Sequence, residues 1–267
     1  MPSTFPNFID GQAVASAERT TDINPSNLSD VVGEFARATA AETDRAINVN
    51  FFCHTLPMPD AARENRWRQR LTPYYAEFGV EPSPAAGAPS RTPFDAAMCA
   101  LLLEKRPRVV SFHYGLPQQA LLQQLKTAGC VIQSSATTVE EARWLEAHGA
   151  DAIIAQGLEA GGHRGMFLAR EVASQVATLA LVPQVVDAVR VPVIAAGAIA
   201  DARGIVAALA LGASAVQIGT GYLLCPEATI SAPYRSALRS AGDDRTMLTN
   251  VFSGRPARSI VNRFLRE

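Results

Sequence analysis

The fold is decided by residues 131–155, which read Val131-Ile-Gln-Ser-Ser-Ala-Thr-Thr-Val-Glu-Glu-Ala-Arg-Trp-Leu-Glu-Ala-His-Gly-Ala-Asp-Ala-Ile-Ile-Ala155. The apolar start at 131–134 predicts a strand. Thr138, with Glu141 three residues later, predicts a capping box at the start of a helix. Residues 151–155 predict a second strand. This order indicates two parallel strands that are joined by a covering helix.

The same alternation continues on both sides of this unit. Further strands are predicted at 47–52, 108–114, 191–196 and 215–218, and further helices at 96–104, 117–128, 181–189 and 202–211. Strands that alternate with helices indicate an α/β protein, and glycines at the strand ends favour a TIM-type (β/α)8 barrel. Such a barrel has eight strands, so the prediction is an incomplete barrel with about six βα units.

The Pro-rich stretch at 81–93 interrupts this pattern between the first predicted strand and the second. It is too long for a tight connection between elements of a compact domain. It forms either a surface excursion or lid beside the ligand site, or a flexible linker. The sequence leaves both interpretations open.

Composition limits the classes of function. The 267 residues are 48% hydrophobic and 18% charged, which is enough for a sizeable core. The net charge of -1 provides no basic field for nucleic acid or an anionic membrane. Without a leader-like start or an apolar run of membrane-spanning length, we expect a cytoplasmic protein. The four cysteines form no Cys-x-x-Cys pair, and neither they nor clustered histidines predict a metal site.

A glycine-rich decapeptide follows the strand at 151–155. It reads Gln156-Gly-Leu-Glu-Ala-Gly-Gly-His-Arg-Gly165. Glycines allow the backbone to turn sharply and to approach a flat ligand closely. The titratable side chain among them, His163, is either a general base or a surface loop residue.

Two later strand ends carry the features of a phosphate site. The first is Val193-Ile-Ala-Ala-Gly-Ala-Ile-Ala-Asp201, and the second is Gln217-Ile-Gly-Thr220. Small residues at such turns allow backbone N–H groups to face an anion. The loops after the last two strands of a TIM barrel frequently bind phosphate. The alternative is two tight turns without a ligand.

These stretches, in this order and followed by Phe252-Ser-Gly-Arg-Pro-Ala-Arg258, resemble the nitronate monooxygenase family, formerly called 2-nitropropane dioxygenases. The resemblance runs from about residue 47 to residue 267. It implies FMN bound to a TIM barrel. It also implies the oxidation of a small alkyl nitronate by dioxygen, which gives a carbonyl compound and nitrite.

The resemblance also assigns site residues. His163 matches the family's active-site histidine, which takes a proton from a nitroalkane or steadies an anionic nitronate. Ala198 stands where the family usually has a second glycine after Gly197, and alanine costs roughly 1 kcal/mol there if the position needs a positive φ. The implied FMN-binding residues are Asn50, Gln156, Gly161, Gly197, Ala198, Gln217, Ile218, Gly219 and Thr220.

Residues 1–46 have a different resemblance. Asn7-Phe-Ile-Asp-Gly-Gln12 and Ile23-Asn-Pro-Ser-Asn27 resemble the amino terminus of aldehyde dehydrogenases, which implies a hairpin followed by a helix at about 39–47. This segment stands where the family has its first two βα units. We therefore expect a division into 1–46 and 47–267, with the barrel truncated at both ends. Its open strand edges need cover, either from this segment or from a second copy in a homo-oligomer.

Three functions remain open at this point. The first is a nitronate monooxygenase. The second is an NAD(P)H-dependent reductase on an FMN barrel, similar to an enoyl reductase. The third is a truncated fusion remnant without catalytic activity. Among the other candidate residues, His113 sits in the strand at 108–114 and His54 closes the first matched strand, so both are candidates for the site mouth. Arg255 and Arg258 either contact substrate or fix the carboxyl-terminal segment.

Overall fold

The computed structural model describes residues 47–58, 60–81, 92–225 and 228–267, together with five short strands near the amino terminus. These strands are β1 (Ser3–Phe5), β2 (Asn7–Ile9), β3 (Gln12–Val14), β4 (Arg19–Ile23) and β5 (Val31–Ala36). Strands β2 and β3 pair as an antiparallel hairpin, and β1, β5 and β4 form a separate sheet. The helix predicted at 39–47 and most of the Pro-rich stretch lie outside the described residues.

A six-stranded parallel sheet forms the centre of the fold. The later strands are β6 (Asn48–Phe52), β7 (Val109–His113), β8 (Val131–Ala136), β9 (Ala152–Gln156), β10 (Gly162–His163), β11 (Val193–Ala196), β12 (Ala215–Gln217), β13 (Thr246–Thr249) and β14 (Ala257–Ile260). The order in the central sheet is β12-β11-β9-β8-β7-β6, so each strand lies beside its neighbour in the chain. This winding is that of a TIM-type barrel, and the predicted six strands are all present.

Helices connect these strands. They are α1 (Ala61–Phe78), α2 (Ala96–Lys105), α3 (Gln119–Thr127), α4 (Val139–Ala147), α5 (Thr178–Ala188), α6 (Ala202–Ala210), α7 (Ala232–Ser240) and α8 (Arg263–Arg266). The hydroxyl of Thr138 accepts a hydrogen bond from the backbone N–H of Glu141 at 3.1 Å, as predicted for a cap. The other half of the predicted capping box is wrong, because the Glu141 carboxylate bonds to Thr137 instead.

The hydrophobic core lies between the outer face of the sheet and its covering helices. One cluster joins Leu145 of α4 and Leu181 of α5 to Ile153 of β9, and all three are almost fully buried. A second cluster surrounds Phe112 and Leu122. Strand β9 is buried along its whole length, as expected for a central strand with both faces covered.

The inner face of the sheet is open at both edges. Asn48 and Asn50 on β6 are exposed, as is Gln217 on β12 at the opposite edge. Among the described residues, β6 and β12 each pair with one neighbouring strand. A closed barrel would bury this face, so the structure is part of a TIM-type barrel, as the sequence predicted. No helix in the described residues is long and apolar enough to cross a membrane.

Candidate active site

A polar cavity of about 360 Å³ opens at the inner face and the carboxyl ends of the central strands. Its lining combines side chains from all six central strands with the glycine-rich loop. The lining residues are Asn48, Asn50, Phe52, Ser111, His113, Ser135, Ile154, Gln156, Gly161, His163, Ala196 and Gln217. Ligands of TIM barrels bind at this end of the strands. The predicted residues Asn50, Gln156, Gly161, His163 and Gln217 are therefore brought to one cavity.

A small antiparallel sheet places His163 at the cavity. Strand β10 pairs with β14, with Gly162 opposite Arg258 and His163 opposite Ala257. Strand β13 completes this sheet on the other side of β14. The decapeptide at 156–165 and the motif at 253–258 are thus parts of one site.

The His163 side chain has a hydroxyl partner. Its Nε2 atom lies 2.7 Å from the Oγ atom of Ser253. The Ser253 hydroxyl also donates to the carbonyl oxygen of Arg255 at 3.3 Å, so its oxygen can accept from the imidazole N–H. Sequence reasoning missed Ser253, although it lies inside a quoted motif. Glu159, the residue considered there, instead accepts hydrogen bonds from the backbone and hydroxyl of Thr178.

Two side chains hold the backbone carbonyl of His163. Gln156 donates to it from Nε2 at 2.9 Å, and His113 lies within 3.2 Å through its own Nε2 atom. The Oε1 atom of Gln156 accepts from the backbone N–H of Gly165 at 2.7 Å. The carboxyl ends of β7 and β9 therefore fix the path of the glycine-rich loop.

His113 is buried in the wall of the cavity. Burial lowers the pKa of its imidazole from the usual 6.5 to about 4, since removal from water disfavours the charged form. The hydrogen bond to the His163 carbonyl opposes this shift without cancelling it. His113 is consequently neutral near pH 7.

Arg164 also holds the glycine-rich loop in place. Its side chain is 0% exposed, and it donates to the backbone carbonyl of Gln156 at 2.8 Å and to Oε1 of Gln175 at 2.8 Å. A further bond reaches the carbonyl of Gly157. Burial lowers the pKa of this guanidinium to about 10, so it stays charged at neutral pH.

Asn50 presents its amide to the cavity in a defined orientation. The buried hydroxyl of Ser111 donates to Oδ1 of Asn50 at 3.0 Å. The amide oxygen is thereby engaged, and the Nδ2 hydrogens are the donors that remain for a ligand. Asn50 is exposed at the open face, where a ligand can reach it.

The first of the two predicted phosphate loops contains a left-handed turn. Gly197 has φ 116° and Ala198 has φ 55°, so the alanine occupies the left-handed region that favours glycine. A Cβ on Gly161 would lie 2.5 Å from Oγ1 of Thr220, which shows how closely the decapeptide approaches this strand end. Thr220 begins a short 3-10 helix, Thr220–Leu224. Backbone N–H groups at such a helix start are suited to an anion.

The remaining candidate residues are not among those that line the cavity. His148 is exposed and donates from Nδ1 to the carbonyl of Trp144 at 2.7 Å. Arg255 lies 5.1 Å above the ring of Tyr114, a cation–π contact. Arg258 donates to the carbonyl of Leu158 at 3.2 Å. These contacts give both arginines structural roles beside the site.

Tyr114 combines two unusual features at the end of β7. It has φ 69°, although it is not a glycine, and it is only 7% exposed. Its hydroxyl has no hydrogen-bond partner among the described residues, and burial raises its pKa to about 12. Backbone strain and unsatisfied polar groups concentrate at functional sites.

The fold and the site define a TIM-barrel protein with a ligand cavity at the carboxyl ends of its strands. Comparison with known proteins identifies its family. A sequence model described as "Nitronate monooxygenase" matches residues 13–267. The chain therefore belongs to the nitronate monooxygenase family, which is flavin-dependent in general.

Two curated relatives are similar over most of the chain. A nitronate monooxygenase from Paraburkholderia phytofirmans is 46% identical over 230 residues, which are 85% of this chain and 63% of the relative. A nitronate monooxygenase from Pseudomonas aeruginosa is 48% identical over 223 residues, 83% of this chain and 63% of the relative. The chain thus spans less than two thirds of the length of these relatives.

Solved structures agree with this relationship. Nitroalkane oxidase from Streptomyces ansochromogenes has a TM-score of 0.76 and 41% identity, covering 85% of this chain and 64% of that one. FabK from Thermotoga maritima has a TM-score of 0.57 and 35% identity, covering 66% and 53%. The resemblance of residues 1–46 to aldehyde dehydrogenases stays a prediction.

Proposed function

We propose that this chain oxidises an alkyl nitronate with dioxygen, giving a carbonyl compound and nitrite, and that it uses FMN to do so. The observation that carries the proposal is the position of His163, which lines the cavity and is held at its imidazole by Ser253. Family membership and the similarity to nitroalkane oxidase support it. The relatives are longer, so their activity comes to this chain as a proposal.

The residues present are suited to FMN. A cavity of about 360 Å³ lies within the range of cofactor sites, and most of its lining side chains can donate or accept hydrogen bonds. We place the phosphate between the left-handed turn at Gly197 and the strand end at Gln217–Thr220, where small residues leave the backbone N–H groups accessible to an anion. When bound, FMN supplies the electron transfer between the nitronate and dioxygen.

We assign the cofactor contacts to three groups of residues. Asn50 offers its Nδ2 hydrogens to acceptor atoms of the flavin ring, because Ser111 occupies its oxygen. Gln156 and Gly161 lie beside the ring and the ribityl chain, and Gln156 has one amide hydrogen and one lone pair beyond those used on the loop. The phosphate contacts are assigned to Gly197, Ala198, Gln217, Ile218, Gly219 and Thr220.

His163 acts on the nitro group or on the carbon beside it. A neutral imidazole takes the proton from a neutral nitroalkane, whereas an imidazolium steadies the oxygen atoms of an anionic nitronate. The ring centroids of Phe52 and Tyr114 lie 6.0 Å and 6.5 Å from that of the imidazole, both in edge-to-face geometry. In either role the ring must be held in place, which is what Ser253 does.

The second candidate is an FMN-barrel reductase that consumes NAD(P)H. The similarity to FabK is the observation in its favour. The TM-score to FabK is 0.57, against 0.76 to nitroalkane oxidase, and this difference favours the oxidation of nitronates.

One experiment separates these candidates. The chain is loaded with FMN and mixed with propane 2-nitronate in air, and nitrite is measured with and without NADH. Nitrite release without NADH, lowered at least about 100-fold by His163→Ala, supports the proposal. The matched control is His148→Ala, which changes an exposed histidine outside the cavity. NADH consumption without nitrite contradicts nitronate oxidation and supports the reductase.

A further inference from the structure

The glycine-rich loop rests on a second histidine, and we propose that His113 is a positioning residue for His163. Its Nε2–H donates to the backbone carbonyl of His163. This bond fixes the loop backbone and therefore the place at which the His163 imidazole enters the cavity. This inference rests on the proposed function of His163. It adds a residue on β7 to a site whose assigned residues lie on other strands and loops.

The hydrogen-bond partners define the tautomer of His113. A carbonyl oxygen can only accept, so the Nε2 atom that faces it at 3.2 Å must carry a hydrogen. In a neutral imidazole the other nitrogen is then an acceptor. Ser135 lies 3.0 Å from that Nδ1 atom and has a hydroxyl hydrogen to donate. Ser135 is only 5% exposed, so water competes little for this bond.

Close packing supports the same role. A Cβ added to Gly165 would lie 2.8 Å from Cε1 of His113 and 2.9 Å from Cβ of Ser135. The loop backbone therefore lies directly against the imidazole edge and the serine. Since neither neighbour has room to move toward the loop, the path of residues 161–165 depends on the shape of His113 as well as on its hydrogen bond.

The neutral state of His113 follows from its surroundings. The titratable and charged groups that act on it are His163, Arg164 and Glu141. Arg164 and His163 disfavour a second positive charge, and Glu141 favours one, but burial dominates. A neutral imidazole with its hydrogen on Nε2 can still donate to the His163 carbonyl.

Gln156 also donates to the His163 carbonyl, so we expect the loss of His113 to have a limited effect on activity. It donates at 2.9 Å from the strand on the other side of β8. Loss of His113 leaves this second donor in place. We expect a displaced loop with an intact fold, and therefore a lower kcat for nitrite release with a smaller change in KM.

NMR spectra of the histidine side chains test this proposal. The chain has four histidines, so a long-range 1H–15N spectrum of the full protein labelled with 15N-histidine can be assigned by single substitutions. His113 should show the neutral Nε2–H tautomer between about pH 5.5 and pH 8. In His113→Leu the signals of His163 should shift or broaden, whereas His148→Leu should leave them unchanged.

Kinetics give the second readout. His113→Leu should lower kcat roughly tenfold, which corresponds to one lost hydrogen bond near the reacting groups. His113→Gln should restore most of it, because the glutamine Nε2 can donate to the same carbonyl. If His113→Leu does not fold, Ser135→Ala replaces it: His113 should keep the Nε2–H tautomer, because it still faces the His163 carbonyl, but the loss of its Nδ1 partner should shift or broaden the signals of His163.

Two results would overturn the positioning role of His113, and a third would contradict the proposed function alone. An Nδ1–H tautomer at His113, or unchanged His163 signals in the folded leucine variant, overturns it. A wild-type chain that releases no nitrite but shows the expected tautomer and shifts contradicts the proposed function alone. The positioning role then stands on the spectra.

Discussion

The Nε2 atom of His163 lies 2.7 Å from the Oγ atom of Ser253, although ninety residues separate them in the chain. The pairing of β10 with β14 brings them together. The motif at 253–258 therefore contributes to the active site directly. It does more than fix the carboxyl-terminal segment, because it supplies the partner of the residue to which we assign the chemistry.

Removal of the Ser253 hydroxyl tests this relationship. Ser253→Ala deletes the acceptor for the imidazole N–H without adding bulk. We expect kcat/KM for nitrite release to fall roughly fivefold to tenfold, which is the effect of one hydrogen bond of about 1 kcal/mol. FMN retention should stay at the wild-type level. Ser174→Ala is the control, since Ser174 is exposed and its hydroxyl donates to the carbonyl of Glu171. Equal losses in both variants would contradict a specific role for Ser253.

The left-handed conformation of Ala198 predicts a stabilising substitution. Ala198 has φ 55°, which costs an L-residue roughly 1 kcal/mol relative to glycine. Ala198→Gly should therefore raise the free energy of unfolding by about 1 kcal/mol in urea titrations. Ala200→Gly is the matched control, because Ala200 lacks a positive φ and should lose stability. A loss in both variants would show that the turn is not strained.

The buried carboxylate of Glu141 predicts a destabilising substitution. Its carboxylate is 0% exposed and accepts hydrogen bonds from the backbone and hydroxyl of Thr137 and from the backbone N–H groups of Phe167, Leu168 and Ala169. In Glu141→Gln one acceptor oxygen becomes a donor that faces other donors. The free energy of unfolding should fall by about 3 kcal/mol.

The neighbouring residue provides the control for Glu141. Glu140 lies on the same helix and is exposed, so Glu140→Gln should change stability by less than about 0.5 kcal/mol. Urea unfolding of both variants is the measurement. Similar behaviour of the two would mean that Glu141 does not hold the loop at 167–169.

The buried His113 predicts a dependence of stability on pH. Its pKa is about 4 in the folded chain and 6.5 without burial, so between these values the unfolded chain binds a proton that the folded chain does not. Stability should therefore fall as the pH falls from about 6.5 to about 4, with this group contributing up to about 1.4 kcal/mol per pH unit. Below about pH 4 the contribution is constant.

A comparison of variants isolates this contribution. His113→Gln removes the titrating group, so its stability should depend less on pH in this window than that of the wild-type chain. His148→Gln should keep the wild-type dependence, because His148 is exposed. Identical slopes in wild-type and His113→Gln chains would exclude a buried, neutral His113.

The sequence was sufficient for the parts of the fold that depend on local patterns. The strand, helix and strand at 131–155 were predicted because apolar runs, a capping threonine and glycines signal such elements within a few residues. The glycine-rich loop and the strand end at Gln217 were placed at one cavity for a related reason. The carboxyl ends of parallel strands meet at one end of a barrel.

The missed contacts all span long distances in the chain. Ser253 reaches His163 only through the pairing of β10 with β14, and no local pattern reports such a pairing. Glu141 was read as half of a capping box, but a buried carboxylate satisfies whichever donors surround it, here those of a loop 26 residues away. His113 was left open because alternation along a strand does not reveal which face a flanking residue meets.

Retention of FMN by the purified chain would show whether this open barrel holds its cofactor. The purified chain is incubated with FMN and desalted, and the visible absorption spectrum of the protein fraction is recorded. We expect a retained flavin band, weakened in Asn50→Leu, because we assign FMN to the polar cavity and the phosphate loops. A protein fraction without flavin absorption would contradict the claim that this open barrel forms a competent oxidase site.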